Sequence, residues 1–213
     1  MAKASTLTDI VNLALASLGE RQITNIDADG KTENLMRPLL FEAVRQTQLE
    51  IDWQELMVSM SPSQSSTEYV RLAGYTIYNL PTNFLDMQHI KSNAHWFLEM
   101  GKLITTDPQP YITYKKYSEE PSEWSGYLVE MIYKRLASNA SMAVTQNEGI
   151  QSQAGQLYQL AKNDNMMRSA NKLFEKQMAE GPYWLNPIAD QPIYTNFRCT
   201  RSLVGILVYT HTV

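Results

Sequence analysis

Apolar side chains recur at the three- and four-residue spacing of an amphipathic helix in four segments of the chain. The first two segments are residues 5–18 and about 32–51, and a short polar connection separates them. The third segment opens at Pro121-Ser122-Glu123 and ends at Asn147-Glu148-Gly149, and the fourth runs from about 150 to 178. The pattern therefore predicts four helices, of which the last two form a long antiparallel hairpin.

Pro38 lies inside the second helical segment. A proline in a helix interior removes one backbone hydrogen bond and collides with the preceding turn, although it is tolerated in the first turn. Two interpretations follow. Either the second helix is kinked at Pro38, or the helix proper begins near residue 37.

The apolar stripes of the two long helices differ in character. The stripe of the third helix includes Arg135 and Asn139, which suits a helix that meets a neighbour along one edge. The stripe predicted for the fourth helix is Ile150, Ala154, Leu157, Leu160, Ala161, Met167, Ala170, Leu173 and Phe174.

Alternating and β-branched residues replace the helical period between Trp53 and about residue 120. The strand-like runs are Met57–Met60, Tyr75–Tyr78, Met87–Ile90, Trp96–Leu98 and Tyr111–Lys116. Met100-Gly101 fits a tight turn between Trp96–Glu99 and Lys102–Thr105, and Ser61–Thr67 is favoured as a plain linker. The pattern predicts one small antiparallel sheet, inserted between the helices at about 54–118.

The helical period ends beyond Gly181-Pro182, and strand-like runs follow at 193–199 and 203–211. A lone two-stranded hairpin is marginally stable in water, so this segment needs a surface to lie against. It is predicted to be an extended arm that binds a partner, and the alternative is that it packs back on its own domain. The candidate interface residues are Tyr183, Trp184, Tyr194, Phe197, Arg198, Arg201, Ile206, Val208 and Tyr209.

Together these patterns predict a mainly α protein of the α+β class. Residues 1–180 are expected to form an antiparallel helical bundle with the small β insertion, and residues 181–213 are expected to form the β-like C-terminal arm. The low charged fraction of 19%, with 12 Tyr, 11 Met and 4 Trp, leaves room for surfaces that contact other proteins. An ordinary core in a polar protein explains the same totals equally well.

The acidic balance of the chain argues against tight binding of DNA or RNA. The net charge is −4, and residues 1–52 carry 5 basic against 8 acidic side chains. No segment clusters Lys and Arg as phosphate neutralisation requires. A single cysteine, Cys199, excludes an internal disulfide and favours a reducing compartment. The strongest apolar run, Leu203–Tyr209, is too short for a membrane-spanning helix, and the first residues lack the apolar core of a signal peptide. A soluble protein made in a cytoplasm is expected.

The one metal-like motif is Asn25-x-Asp27-x-Asp29-Gly30, which matches the first half of a calcium-binding EF-hand loop. The twelfth position should hold a bidentate Glu, but Met36 stands there. An Asx-rich turn at the start of a helix explains the residues without calcium.

No other residues form a recognisable reactive centre. His89, His95 and His211 lack zinc-ligand spacing, and the first two are assigned to strands. Glu119-Glu120 fits a solvated turn better than an acid–base pair. The sequence therefore predicts no metal, no cofactor and no enzymatic activity.

Five short motifs follow one another in a characteristic order over about 5–178. They are Ile10–Glu20 with its Asn-x-Ala-Leu-x-x-Leu-Gly pattern, Trp53 at the end of the second helix, Tyr78–Leu85 (YNLPTNFL), Ile104–Asp107 followed by Tyr111–Tyr114, and Pro121–Trp124 before a helix with Arg135-Leu136-Ala137. This order resembles the tail tubular protein A family, the head-to-tail adaptors of short-tailed bacteriophages. Trp53-Gln54-Glu55 departs from the family's commoner Trp-Asn-Phe, and the segment after 180 has no family pattern that aligns.

The resemblance implies a structural protein of the virion neck, made in the host cytoplasm. Its partners would be the portal protein, the tail nozzle (a protein like tail tubular protein B) and further copies of itself in a dodecameric ring. The double-stranded DNA genome would pass through the lumen during ejection without specific binding, and no membrane is involved. A weakly acidic wall suits this role, because a basic wall would hold the phosphates.

Three alternatives remain open. The first is another neck or tail-completion protein of the virion, which would contact different partners. The second is a tail-associated enzyme, which would need a carboxylate pair or a metal cluster in a cleft. The third is a nucleic-acid-binding protein, which would need a basic face.

Overall fold

The computed structural model describes residues 6–66 and 73–179. The chain divides into two units, Met1–Phe174 and Glu175–Val213. The described residues form four helices and two small antiparallel sheets, so the prediction of a mixed α+β fold is confirmed. The arm predicted at 181–213 lies outside the described residues.

The four helices are α1 (Leu7–Ser17), α2 (Lys31–Glu50), α3 (Gly126–Thr145) and α4 (Glu148–Ala179). Each lies within a few residues of a predicted segment. The largest shift is at α3, because the predicted opening Pro121–Glu123 is a separate 3₁₀ turn. Ser125 caps α3 by accepting a hydrogen bond from the Leu128 amide.

Helix α1 begins in a reciprocal capping box. The Thr6 hydroxyl accepts from the Asp9 amide at 3.1 Å, and the Asp9 carboxylate accepts from the Thr6 amide at 3.0 Å. Gly19 follows the helix with φ +75°, a left-handed conformation that glycine adopts without strain. Asn12 then fixes the outgoing chain, since its side chain exchanges two hydrogen bonds with the backbone of Ile23.

Helix α2 contains Pro38 in its interior and begins seven residues earlier, at Lys31. The interpretation that this helix begins near residue 37 is therefore wrong. One face of α2 is buried against α3, and its centre consists of Met36, Leu40, Ala43 and Val44. Tertiary packing thus offsets the hydrogen bond that the proline removes.

The turn between α3 and α4 is shorter than the predicted Asn147-Glu148-Gly149 break. Gln146 ends α3 in a left-handed conformation, and the Asn147 side chain accepts from the amides of Gly149 and Ile150. Tyr127 lies near Arg168 at one end of the helix pair, and Ser138 lies near Gly155 towards the other. The two helices therefore run in opposite directions.

Helices α1 to α3, with the inner face of α4, enclose the larger of two apolar cores, and together they are called the helical body below. Its fully buried side chains include Ile10, Leu15, Met36, Leu40, Leu56, Trp124, Leu128, Met131 and Ile132. Helix α4 adds mainly Ala154, Tyr158 and Ala161.

The β insertion consists of two sheets, so the prediction of a single sheet is wrong. The strands are β1 (Met57–Met60), β2 (Ser63–Gln64), β3 (Thr76–Asn79), β4 (Phe84–Ile90), β5 (Trp96–Glu99), β6 (Lys102–Thr105) and β7 (Ile112–Lys116). One sheet has the order β1-β7-β4 and the other has the order β2-β3-β6-β5. Strand β2 also lies inside Ser61–Thr67, which was predicted to be a plain linker.

The two sheets share a small apolar core and are together called the β sandwich below. One sheet contributes Tyr78 and Leu103, and the other contributes Ile90, Ile112 and Tyr114. The Tyr78 hydroxyl also donates to the carbonyl of Pro108 at 2.8 Å. This bond ties β3 to the loop that follows β6.

The β sandwich is joined to the helical body by buried polar contacts. The Lys115 side chain is 1% exposed, and its ammonium contacts the Asp52 carboxylate at 2.9 Å and the Leu49 carbonyl at 3.2 Å. The Gln48 side chain exchanges two hydrogen bonds with the backbone of Ser118. These contacts connect the end of α2 to the end of β7.

Candidate interaction surfaces

A network of charged and aromatic side chains holds α4 against α2 and α3. Glu50 of α2 pairs with Arg135 of α3 at 2.8 Å and with Lys162 of α4 at 3.3 Å. The Tyr158 hydroxyl donates to the same carboxylate, and the Arg135 guanidinium lies 5.1 Å from the centre of the Tyr158 ring. Of the two polar residues predicted on the α3 stripe, Arg135 thus contacts neighbouring helices, whereas Asn139 is exposed.

The electrostatics of this network centre on Glu50. Burial on its own would raise the pKa of Glu50, but hydrogen bonds from Tyr158 and Arg135 outweigh it, so the pKa lies below the ordinary value. Burial and the hydrogen bond to Glu50 raise the pKa of Tyr158. Glu50 is therefore a carboxylate held ionised by its partners, which is a structural arrangement.

The outer face of α4 carries three large exposed apolar side chains, with the charged Asp164 between them. Leu157, Leu160 and Met167 share this face, and their exposed fractions are 41%, 65% and 67%. These residues were predicted to form one apolar stripe with Ala154 and Ala161, but the two alanines lie on a separate, buried face. The buried face of α4 includes Ala154, Tyr158 and Ala161. Leu173 and Phe174 are outside the residues whose side chains are described.

A second exposed apolar surface lies on the hairpin of β5 and β6. Trp96 and Leu98 are each 41% exposed, and Met100 at the turn is 93% exposed. Met100 and Gly101 both have positive φ, at 51° and 72°, as a two-residue hairpin turn requires. The predicted turn and its flanking strands are confirmed residue for residue.

A shallow cavity of about 290 Å³ lies beside the start of α3, and its lining includes Asp52, Glu55, Tyr127 and Arg168. Asp52 is paired with Lys115, and Glu55 accepts a hydrogen bond from the Ser125 amide. Arg168 pairs with Asp164 and lies over the Tyr127 ring at 4.6 Å. The charged groups that line this cavity thus hold neighbouring elements in place.

The side chain of Arg37 binds the segment Asn25–Gly30, which matches the first half of an EF-hand loop. Arg37 donates to the carbonyl of Ile26 at 2.9 Å and to that of Ala28 at 3.3 Å, and it lies 4.0 Å from Asp27. Asn25 closes a local turn by accepting from the Asp27 amide. A guanidinium thus occupies the side of the loop where backbone oxygens would coordinate a cation.

The other residues that the sequence analysis singled out lie at the following places. His89 lies on β4 as expected, but His95 lies one residue before β5. Glu119 and Glu120 are exposed, as expected for a turn. All nine predicted interface residues of the arm, and His211 and Cys199, lie outside the described residues. Within residues 6–66 and 73–179, no three His, Cys, Asp or Glu side chains are grouped as metal ligands would be, and no helix is long and apolar enough to cross a membrane.

The residues that carry the family resemblance have identifiable structural roles. The Trp53 indole donates to the Thr47 carbonyl at 3.0 Å, which closes the end of α2. The Thr105 hydroxyl donates to the His95 carbonyl and accepts from the Asp107 amide. Trp124 is fully buried in the helical body. These motifs therefore report on how the chain folds.

No protein-family model matches the chain, and no curated protein matches it.

Proposed function

We propose that this protein is a structural head-to-tail adaptor of a short-tailed bacteriophage. In this proposal its copies form a ring, expected to be dodecameric, between the portal protein and the tail nozzle of the virion. The genome passes through the ring during ejection. The protein acts through its shape, with neither a catalytic centre nor a cofactor, and before assembly it resides in the host cytoplasm.

The observation that carries the proposal is the exposed apolar outer face of α4. At 1.5 Å per residue a helix of 32 residues is about 48 Å long, which exceeds the diameter of a small domain, about 30 Å. Monomeric soluble proteins seldom expose several large apolar side chains close together, and here Leu157, Leu160 and Met167 lie on either side of the paired Asp164. A neighbouring subunit that covers Leu157, Leu160 and Met167 would remove this surface from water.

The arrangement of the helices suits a subunit of a closed ring. Ring contacts are heterologous, so the outer face of α4 would meet a different surface of the next copy. The Glu50 network fixes α4 from the inside, so the outer face is presented on a firm support. The finer architecture that we propose is an antiparallel helical bundle, from which the arm at 181–213 reaches the portal through the interface residues predicted above.

The charge of the chain is consistent with a conduit for DNA. The net charge is −4, and several of the described cations, among them Lys115, Arg135 and Arg168, are paired with carboxylates. Binding of phosphates depends on clusters of Lys and Arg that can release counterions. A wall with this composition lets double-stranded DNA slide without holding it.

The proposal is tested by placing charges on the outer face of α4. We expect Leu160→Asp combined with Met167→Asp to weaken ring formation by about tenfold or more, since each buried carboxylate would have to be desolvated. Native mass spectrometry of the full chain, alone and with portal protein, measures the assembly. A matched control is Ser152→Asp combined with Gln159→Asp, which adds the same charge elsewhere on the exposed surface of α4.

The control variant should assemble as the unmodified protein does. Equal assembly of both double variants would show that the outer face of α4 is not an interface. A protein that stays monomeric with portal and nozzle proteins at all concentrations would contradict the adaptor function itself.

A further inference from the structure

Strand β5 forms an open edge of the β sandwich. It is the last strand in the order β2-β3-β6-β5, and among the residues that the structure describes no strand lies beyond it. In an antiparallel pair, residues alternate between those that bond to the partner strand and those whose backbone groups point away. The His95 carbonyl bonds to the Thr106 amide, so the outward positions of β5 are Trp96 and Leu98.

The side chains at these same two positions are apolar and half exposed. Trp96 and Leu98 lie on the sheet face that carries Tyr78 and Leu103, because residues paired across the strands share a face. Tyr78 and Leu103 are buried in the core of the β sandwich. Trp96 and Leu98 therefore extend this apolar layer onto the last strand, β5, where each is 41% exposed.

The other described edges of the two sheets are protected. Strand β2 is only two residues long, and the pairing of β4 with β7 is interrupted by two register shifts. Such short or irregular edges discourage the addition of another strand. Strand β1 carries no large exposed apolar side chain. Strand β5 combines a regular edge with an apolar surface, which is what an added strand needs.

We propose that β5 is an acceptor edge and that residues 203–209 of a second copy of this chain bind it as an added strand. The run Leu203–Tyr209 contains no charge, and its alternation puts Val204, Ile206 and Val208 on one side. These β-branched residues suit a pleated surface and would cover Trp96 and Leu98. Main-chain hydrogen bonds supply the affinity in this mode of recognition, and the alternate side chains supply the specificity.

A second copy is the donor because the inference rests on the proposed ring. Each subunit of a ring offers one surface to the neighbour on its left and a different one to the neighbour on its right. A donated strand on one side and an acceptor edge on the other satisfy this requirement. The α4 face and the β5 edge would then be two separate parts of the contact between subunits.

Hydrogen exchange of the assembled full-length protein tests the proposal. We expect the amides of Trp96 and Leu98 to exchange at least about tenfold more slowly in the assembly than in dilute monomer. Ile206→Pro removes a backbone donor from the added strand and should abolish this protection. Thr212→Pro is the matched control outside residues 203–209, and it should leave the protection intact. The Leu103 amide, which faces β3, serves as an internal reference.

Four results would overturn the proposal. The first is equal exchange of the Trp96 and Leu98 amides in the assembled unmodified protein and in assembled Ile206→Pro. The second is full protection of both amides in a monomer at every concentration, which would place the bound strand in the same chain. The third is the absence of any assembly, which would also remove the proposed function. Rings in which both amides exchange freely would remove this inference alone.

Discussion

The helical body and the β sandwich are built on different scales, although they belong to the same unit of the chain. The buried apolar cluster of the helical body contains 24 residues, and that of the β sandwich contains five. The free energy gained from burial scales with the apolar area removed from water, so the helical body supplies most of it. The β sandwich depends in addition on polar contacts with the helical body, above all those of Lys115.

The largest predicted effect is the loss of stability when one buried leucine is replaced by alanine in each of the two cores. Leu128 and Leu103 are both fully buried, the first in the helical body and the second in the β sandwich. We expect Leu128→Ala to cost about 4 kcal/mol of the free energy of unfolding and Leu103→Ala about 3 kcal/mol, because the smaller core can collapse further around the cavity. Urea denaturation followed by circular dichroism measures both values. A larger loss for Leu103→Ala would contradict the ranking.

The junction between the two regions gives an intermediate effect. Lys115→Met keeps the buried alkyl chain but removes the ammonium, which leaves the Leu49 carbonyl without its donor and Asp52 without its cation. We expect a loss of about 2 kcal/mol in the free energy of unfolding, since Asp52 keeps part of its hydration. A double-mutant cycle with Asp52→Asn isolates the ion pair. Additive losses in that cycle would show that the pair does not anchor the β sandwich.

The smallest predicted effect is a pH dependence of stability that arises from Glu50 in the helical body. The pKa of Glu50 is lower in the folded protein than in the unfolded chain. Its contribution to the free energy of unfolding is therefore complete at pH values above the pKa of the unfolded chain, and it is lost as the pH falls through the pKa of the folded protein. We expect Glu50→Gln to flatten the acid limb of the stability curve. Thermal unfolding between pH 3 and pH 7, roughly the span around a carboxyl titration, measures this difference. An unchanged acid limb would mean that other carboxylates govern it.

Much of the fold could be predicted from local patterns. The helix boundaries follow from capping residues such as Thr6 and Asn147 and from the glycine after α1. The β5–β6 hairpin follows from Met100-Gly101 and the alternation on either side. In each case the deciding interactions connect residues only a few positions apart, so they leave a mark in the sequence.

The remaining features of the fold depend on contacts between residues that are far apart in the sequence. Alternation identifies strands but not their partners, so one sheet could not be distinguished from two. The outward position of Leu160 depends on the pairing of Tyr158 with Glu50, which are 108 positions apart. Without that contact the leucines of α4 are indistinguishable from core residues. The predicted interface of the arm stays a prediction.

The turn of the β5–β6 hairpin has a chemical consequence for the whole chain. The thioether of Met100 is more exposed than that of any other methionine in the described residues. Oxidants in solution reach such a sulfur first, and its conversion to the sulfoxide would make the tip of the hairpin polar. Oxidation of Met100 would therefore reveal oxidative damage next to the proposed acceptor edge.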